Sequence, residues 1–148
     1  MSRQPHIEMA QLKLVKSVFA VNVDHPPVDE RVSLAVTLKN NGEFFDGGRR
    51  AHFLQSFKTS EQMDAPFFMD VEFGALFFLD PPPLPLERTH YVKQVLAQVV
   101  FPYMREYVAE TTRRGGFTPL ILSQSLFDEE TLRDQPDKMP GDDNKWLH

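Results

Sequence analysis

Phe67-Phe68-Met69-Asp70-Val71-Glu72-Phe73-Gly74-Ala75-Leu76-Phe77-Phe78-Leu79-Asp80-Pro81-Pro82-Pro83-Leu84-Pro85 is the stretch on which the fold turns. From Phe67 to Leu79 its period is two. Phe67, Met69, Val71, Phe73 and Phe77 fall on one face, and Phe68, Asp70, Glu72 and Gly74 on the other. That pattern predicts a strand with one face buried. Asp80 to Pro85 can neither continue a strand nor lie inside a helix, because proline has no N–H to donate. It reads as a stiff extended connector. Beyond it the period changes. Val92, Val95, Leu96, Val99, Val100, Tyr103, Met104, Tyr107 and Val108 recur at helical spacing. Arg113-Arg114-Gly115-Gly116 ends that helix, with cations at the negative end of the dipole and glycine for the cap. Pro102 sits inside it, removes one hydrogen bond and crowds the Gln98 carbonyl, so a kink is expected.

Upstream lie three more strand-like runs. Leu12 to Val23 alternates with a phase slip near Lys16 and Ser17, which predicts a bulge, and Asp24-His25-Pro26-Pro27 stops it. Arg31 to Asn40 alternates cleanly, with Val32, Leu34, Val36 and Leu38 on one face, and Asn40-Asn41-Gly42 reads as a turn. Ala51 to Thr59 carries Phe53 and Phe57 on one face, and Gly47-Gly48-Arg49-Arg50 before it reads as a hairpin tip. Short loops between the runs predict an antiparallel sheet with one wet face. Downstream, Phe117-Thr118-Pro119-Leu120 leads to a short helix over Leu126 to Asp134, where Ser125 and Asp128 resemble a capping box. The expected fold is therefore α+β: a four-stranded antiparallel sheet, then a long kinked helix and a short C-terminal helix. It forms a single domain over residues 1–148, ordered over about residues 10–134, with a loose acidic tail at 135–148.

Composition narrows the function. A length of 148 residues, 41% hydrophobic and 25% charged, reads as one soluble globular domain. The formal net charge of −5 argues against nucleic acid, which calls for a basic patch. The chain has no cysteine, so disulfides and thiolate metal sites are excluded. No apolar run reaches the ~20 residues that span a bilayer, and Met-Ser-Arg-Gln-Pro-His carries no signal-like apolar region. Neither membrane insertion nor secretion is expected.

No catalytic motif emerges. The five histidines are scattered, and no His-Glu-x-x-His helix is present. Glu106 and Glu110 could serve acid–base chemistry, but Arg113 and Arg114 follow at ion-pairing distance. No Gly-Lys-Ser/Thr follows Gly47-Gly48, so no phosphate loop is expected there. Aromatic residues carry more information. Phe101 lies off the apolar stripe of the long helix, and Phe68 lies on the polar face of the fourth strand. Both are candidates for assembly or binding, with simple exposure as the alternative.

Val100-Phe101-Pro102-Tyr103-Met104-Arg105-Glu106, then Arg114-Gly115-Gly116-Phe117-Thr118-Pro119-Leu120 and Leu126-Phe127-Asp128, resemble the signature of the SecB family of export chaperones. Phe67 to Phe77 resembles that family's fourth strand, and the likeness spans roughly residues 12–134. It implies a cytoplasmic homotetramer, a dimer of dimers packed through the long helices, with no cofactor. Such a protein binds unfolded precursors, with Phe117, Phe73, Phe77 and Leu126 as groove residues and Phe101 and Tyr103 at the oligomer interface. The Sec translocase ATPase would dock on an acidic sheet face through Phe68, Asp70, Glu72 and Asp24. The family's crossover tryptophan has no counterpart in His25 to Glu30, and the lone Trp146 lies in the tail. Some SecB-like proteins instead guard an antitoxin, which is the nearest alternative. A hot-dog-like enzyme is more distant, because here the long helix follows all the strands.

Overall fold

A computed structural model describes residues 6–25, 34–60 and 65–127. Four antiparallel strands form one sheet: β1 at His6–Val21, β2 at Val36–Phe45, β3 at Arg50–Thr59 and β4 at Phe67–Asp80. Their spatial order is β1-β4-β3-β2. Consecutive strands β1 and β2 thus occupy opposite edges, and the chain between them must cross from one edge to the other.

The period of two in β4 becomes burial. Phe67, Met69, Val71, Phe73, Ala75, Phe77 and Leu79 are all buried on the face the long helix covers. Phe53 and Phe57 of β3 and Val36 and Leu38 of β2 share that face. From the helix, Leu96, Val100, Met104 and Val108 pack down onto it and are fully buried. Each such side chain contributes about 1.5–3 kcal/mol of transfer free energy.

β1 starts at His6, earlier than expected, and carries two irregularities, between Met9 and Gln11 and between Leu14 and Lys16. The second is the anticipated phase slip, with Val15 as the extra residue. It puts Ser17 and Phe19 back on the helix side, opposite Val71 and Met69. There Ser17 and the Tyr107 hydroxyl share a 2.6 Å hydrogen bond.

The expected turn at Asn40-Asn41-Gly42 is corrected: β2 runs straight through it, in register with Gln55, Leu54 and Phe53. Long-range partners override the local signal. Asn40 is buried and accepts a 2.8 Å hydrogen bond from Gln55 Nε2. Gly42 lies under the helix, where an added Cβ would sit 2.6 Å from Val92 Cγ2. The chain reverses instead at Asp46-Gly47-Gly48, with φ of 55°, 67° and 87°, at the tip expected for Gly47-Gly48.

The long helix covers residues 88–114. It is α-helical at Arg88–His90, π-helical over Tyr91–Leu96 and α-helical again over Ala97–Arg114. Helical structure continues across Pro102, and the irregular segment lies upstream of it. Residues 125–127 begin the short helix. Its cap is Ser123 rather than Ser125, for the Ser123 hydroxyl accepts the Ser125 N–H at 3.2 Å. Asp128 and the rest of that helix, the crossover at 26–33 and the tail with Trp146 lie outside the described residues. None of the described helices is long and apolar enough to cross a membrane.

Candidate functional site

The C-terminal end of the long helix is built to turn the chain back along itself. Gly115 closes the helix, and an added Cβ there would meet the Phe19 ring at 2.5 Å. Phe117 N–H then bonds the Thr112 carbonyl at 3.1 Å. Thr112, fully buried, donates its hydroxyl to the Val108 carbonyl at 2.9 Å and accepts the Leu120 N–H at 2.9 Å. This holds the 117–122 connector against the helix. Leu122 and Phe127 are buried as a result. The Phe127 ring stands edge-on to Phe101 at 4.4 Å.

Between the returning connector and the helix lies an open cleft of about 390 Å³. Phe101, Pro102, Ala109 and Ile121 supply its apolar wall, and Gln98, Arg105, Glu106 and Gln124 its polar rim. Ile121 is 57% exposed. Pro102 has no N–H to give the Gln98 carbonyl, and both residues face the same cleft. Apolar wall and polar rim together suit a segment that presents apolar side chains and unpaired backbone groups. Below the cleft, Glu110 accepts hydrogen bonds from Arg113 and Arg114. The bond from Arg113 chiefly holds the Glu110 carboxyl below its ordinary range; desolvation opposes it, and the bond from Arg114 adds to the lowering.

A second apolar surface lies along β1. Its outer edge has no strand beside it among the described residues. Leu14, Val15, Val18 and Val21 are exposed along it. Unpaired backbone groups beside such side chains are a template for another strand.

The four expected groove residues do not form one wall. Phe117 packs on Phe67 at 5.0 Å and Phe19 at 6.3 Å. Phe73 is buried against Tyr107 at 5.7 Å. Phe77, 0% exposed, is core against Phe53. Phe67 and Phe77 are ten positions apart on β4, or roughly 33 Å at ~3.3 Å per residue. Leu126 is half-buried beside the core. The expectation of an outward Phe101 is corrected as well. Phe127 covers it, leaving it 3% exposed, whereas Tyr103 is 45% exposed. Ile121, Pro102 and Thr112 were not singled out for the site by sequence reasoning. Pro102 carried a signal, as the proline inside a helix; the other two depend on the path of the connector.

The acidic sheet face is corrected too. Asp70 is buried and paired with Lys16 at 2.7 Å. Its hydrogen bond and charge hold the Lys16 ammonium above the usual lysine range. Phe68 is half-buried with Lys58 over its ring at 5.9 Å, and Glu72 is half-buried. Asp24 is exposed in the turn beyond β1, where its N–H bonds Asn22 Oδ1 at 3.2 Å. The four do not make one acidic patch.

Residues 17–132 match the family model described as preprotein translocase subunit SecB. The protein-export protein SecB of Dinoroseobacter shibae is 33% identical over 81 residues, 51% of this chain and 46% of that protein. The chain thus matches about half the length of this relative. Among solved structures, the SecB-like chaperone of Mycobacterium tuberculosis, in complex with a ChAD peptide from the HigA1 antitoxin, superposes with a TM-score of 0.61. That match has 23% identity over 79% of this chain and 89% of the other, so it shows the shared fold. A protein of unknown function from Streptococcus agalactiae has the same architecture, with a TM-score of 0.52 and 10% identity over 82% of this chain and 99% of that one.

Proposed function

The chain belongs to the SecB family, and from that premise we propose that it is a molecular chaperone that holds other polypeptides unfolded. The observation that carries this reading is the open cleft between the long helix and its returning connector. Ile121, Pro102 and Ala109 offer apolar contact there without a shape that selects one side chain. The Gln98 and Gln124 side chains on the rim offer hydrogen-bonding groups beside them. An unfolded chain exposes the complementary groups, apolar side chains and N–H donors. Phe117 is the hinge plug of this cleft, fixing the connector through Phe19 and Phe67.

The working form is a cytoplasmic homotetramer. Tyr103 and the exposed helix-side apolar groups of β1, Leu14 and Val21, are the surfaces that assembly would cover. Several clefts on one particle then bind one client with avidity, and no single cleft has to bind tightly. Handing precursors to the Sec translocase is the reading in line with the Dinoroseobacter relative. Guarding an antitoxin is a second reading, favoured by the sheet face. The acidic platform expected for translocase docking is interrupted by Lys16, which covers Asp70.

The test is light scattering from an aggregating client diluted out of denaturant. Stoichiometric chain is expected to suppress the scattering without nucleotide. Scattering unchanged by the chain would contradict the proposal.

A further inference from the structure

The helix-free face of the sheet carries a trough of its own. Gly74, at the centre of β4, has no side chain to fill it, and an added Cβ would lie 3.0 Å from Val15 Cγ2 and 4.0 Å from Leu54 Cδ1. Val15 stands there because the β1 bulge makes it the extra residue between Leu14 and Lys16. Leu54 and Leu76 complete the apolar floor of a depression of about 610 Å³. It spans all four strands, from Gln11 and Lys13 on β1 to Asn41 and Glu43 on β2.

Charge is unevenly divided across this face. The chain has seven lysines and a net charge of −5. Four of those lysines, Lys13, Lys16, Lys39 and Lys58, stand at or beside one end of the trough. The register fixes this. Lys13 is opposite Gly74, Lys16 opposite Glu72, Lys58 opposite Asp70, and Lys39 opposite Ser56. Residues directly opposite in an antiparallel pair share a face. Among the described strand positions of this face, the carboxylates at this end are Asp70, buried under Lys16, and the half-buried Glu72. Four positive groups less two negative leave these described strand positions at +2. At the other end Arg50 faces Glu8, Glu43 and Asp80, which leaves −2, with His6 and His52 taken as neutral. An apolar depression with one cationic end has a direction.

We propose that this face is a docking site for an acidic, extended segment of a partner polypeptide. One apolar side chain of the segment sits in the Gly74 trough, and its carboxylates lie over Lys13, Lys39 and Lys58. The site is separate from the cleft on the long helix and takes the opposite charge from the basic partner an acidic face would attract. Lys16 holds Asp70 rather than the ligand.

The experiment uses the full chain and two short fluorescein-labelled peptides. One has a run of glutamates beside a single leucine, and the other has lysines in place of the glutamates. Anisotropy is expected to show saturable binding of the acidic peptide and weaker binding of the basic one. Raising the salt to about 300 mM should weaken the acidic peptide, since exposed charges are then screened. The Lys13→Glu/Lys58→Glu variant should lose at least about tenfold in affinity for the acidic peptide and favour the basic one. Leu54→Ser should weaken both. Circular dichroism and suppression of client aggregation should remain as in the unaltered chain for both variants. Equal or tighter binding of the basic peptide, no saturable binding of the acidic one, or indifference to the lysine reversal would overturn the proposal. The aggregation assay stands apart from this result, so failure of the sheet-face site and failure of the chaperone reading are told apart.

Discussion

β4 and β1 are neighbours of similar length, 14 and 16 residues, and they lie in register along nearly their whole span. On the helix side, every β4 side chain from Phe67 to Leu79 is buried. On the same side of β1, Ile7, Met9, Leu12 and Phe19 are half-buried, and Leu14 and Val21 are exposed. The two strands differ in position more than in chemistry. β4 has a strand on each side and the helix overhead, while β1 has one neighbouring strand among the described residues and two bulges. Apolar groups in β4 therefore hold the fold, and apolar groups in β1 remain available to something outside it.

The largest expected effect lies in β4. Phe77→Ala removes a fully buried ring packed on Phe53 and should cost about 3–5 kcal/mol in urea unfolding. A loss below about 1 kcal/mol would mean that Phe77 faces a groove and that the contrast between the strands is wrong. The same assay on β1 should give a small number. Leu14→Asp, at an exposed position, should change stability by less than about 1 kcal/mol. It should nevertheless shift sedimentation toward smaller species, because the apolar row that assembly covers then carries a charge. Unchanged sedimentation would remove β1 from the assembly.

The smallest effect is at the end of the helix. Hydrogen bonds from Arg113 and Arg114 lower the Glu110 pKa, so the folded state holds this proton less tightly than the unfolded one. The resulting stabilisation is present above the ordinary carboxylate range and is lost as pH falls through the depressed value. The Glu110→Gln variant should lack that component of the acid limb of a helicity titration. The group is exposed, so the change should be slight and should shrink further in salt.

What could be read from the sequence divides along the same line. β3, β4 and the long helix were legible because their periods of 2 and 3.6 agree with the surfaces they bury. The Gly47-Gly48 tip was legible because left-handed backbone favours glycine. Misreadings arose where a distant partner decided the outcome. Asn40-Asn41-Gly42 looks like a turn until Gln55 and Val92 are placed against it. Phe101 looks exposed until Phe127 folds back over it. Asp70 looks like part of an acidic face until the β1 register brings Lys16 to it. In the candidate site, the resemblance drew attention to the helix end and connector. Ile121 had no local signal, because its role depends on Thr112 tying the connector to the helix.

The central claim is that the cleft beside Ile121 holds unfolded chain. Its most direct measurement is the affinity of a labelled, permanently unfolded client for the unaltered protein and for Ile121→Asp. Because Ile121 is exposed and outside the core, the variant should melt and sediment like the unaltered protein. Loss of one covered apolar contact, worth about 1.5–3 kcal/mol, should weaken client binding about tenfold or more. Equal affinity of the two proteins for the client would contradict the account.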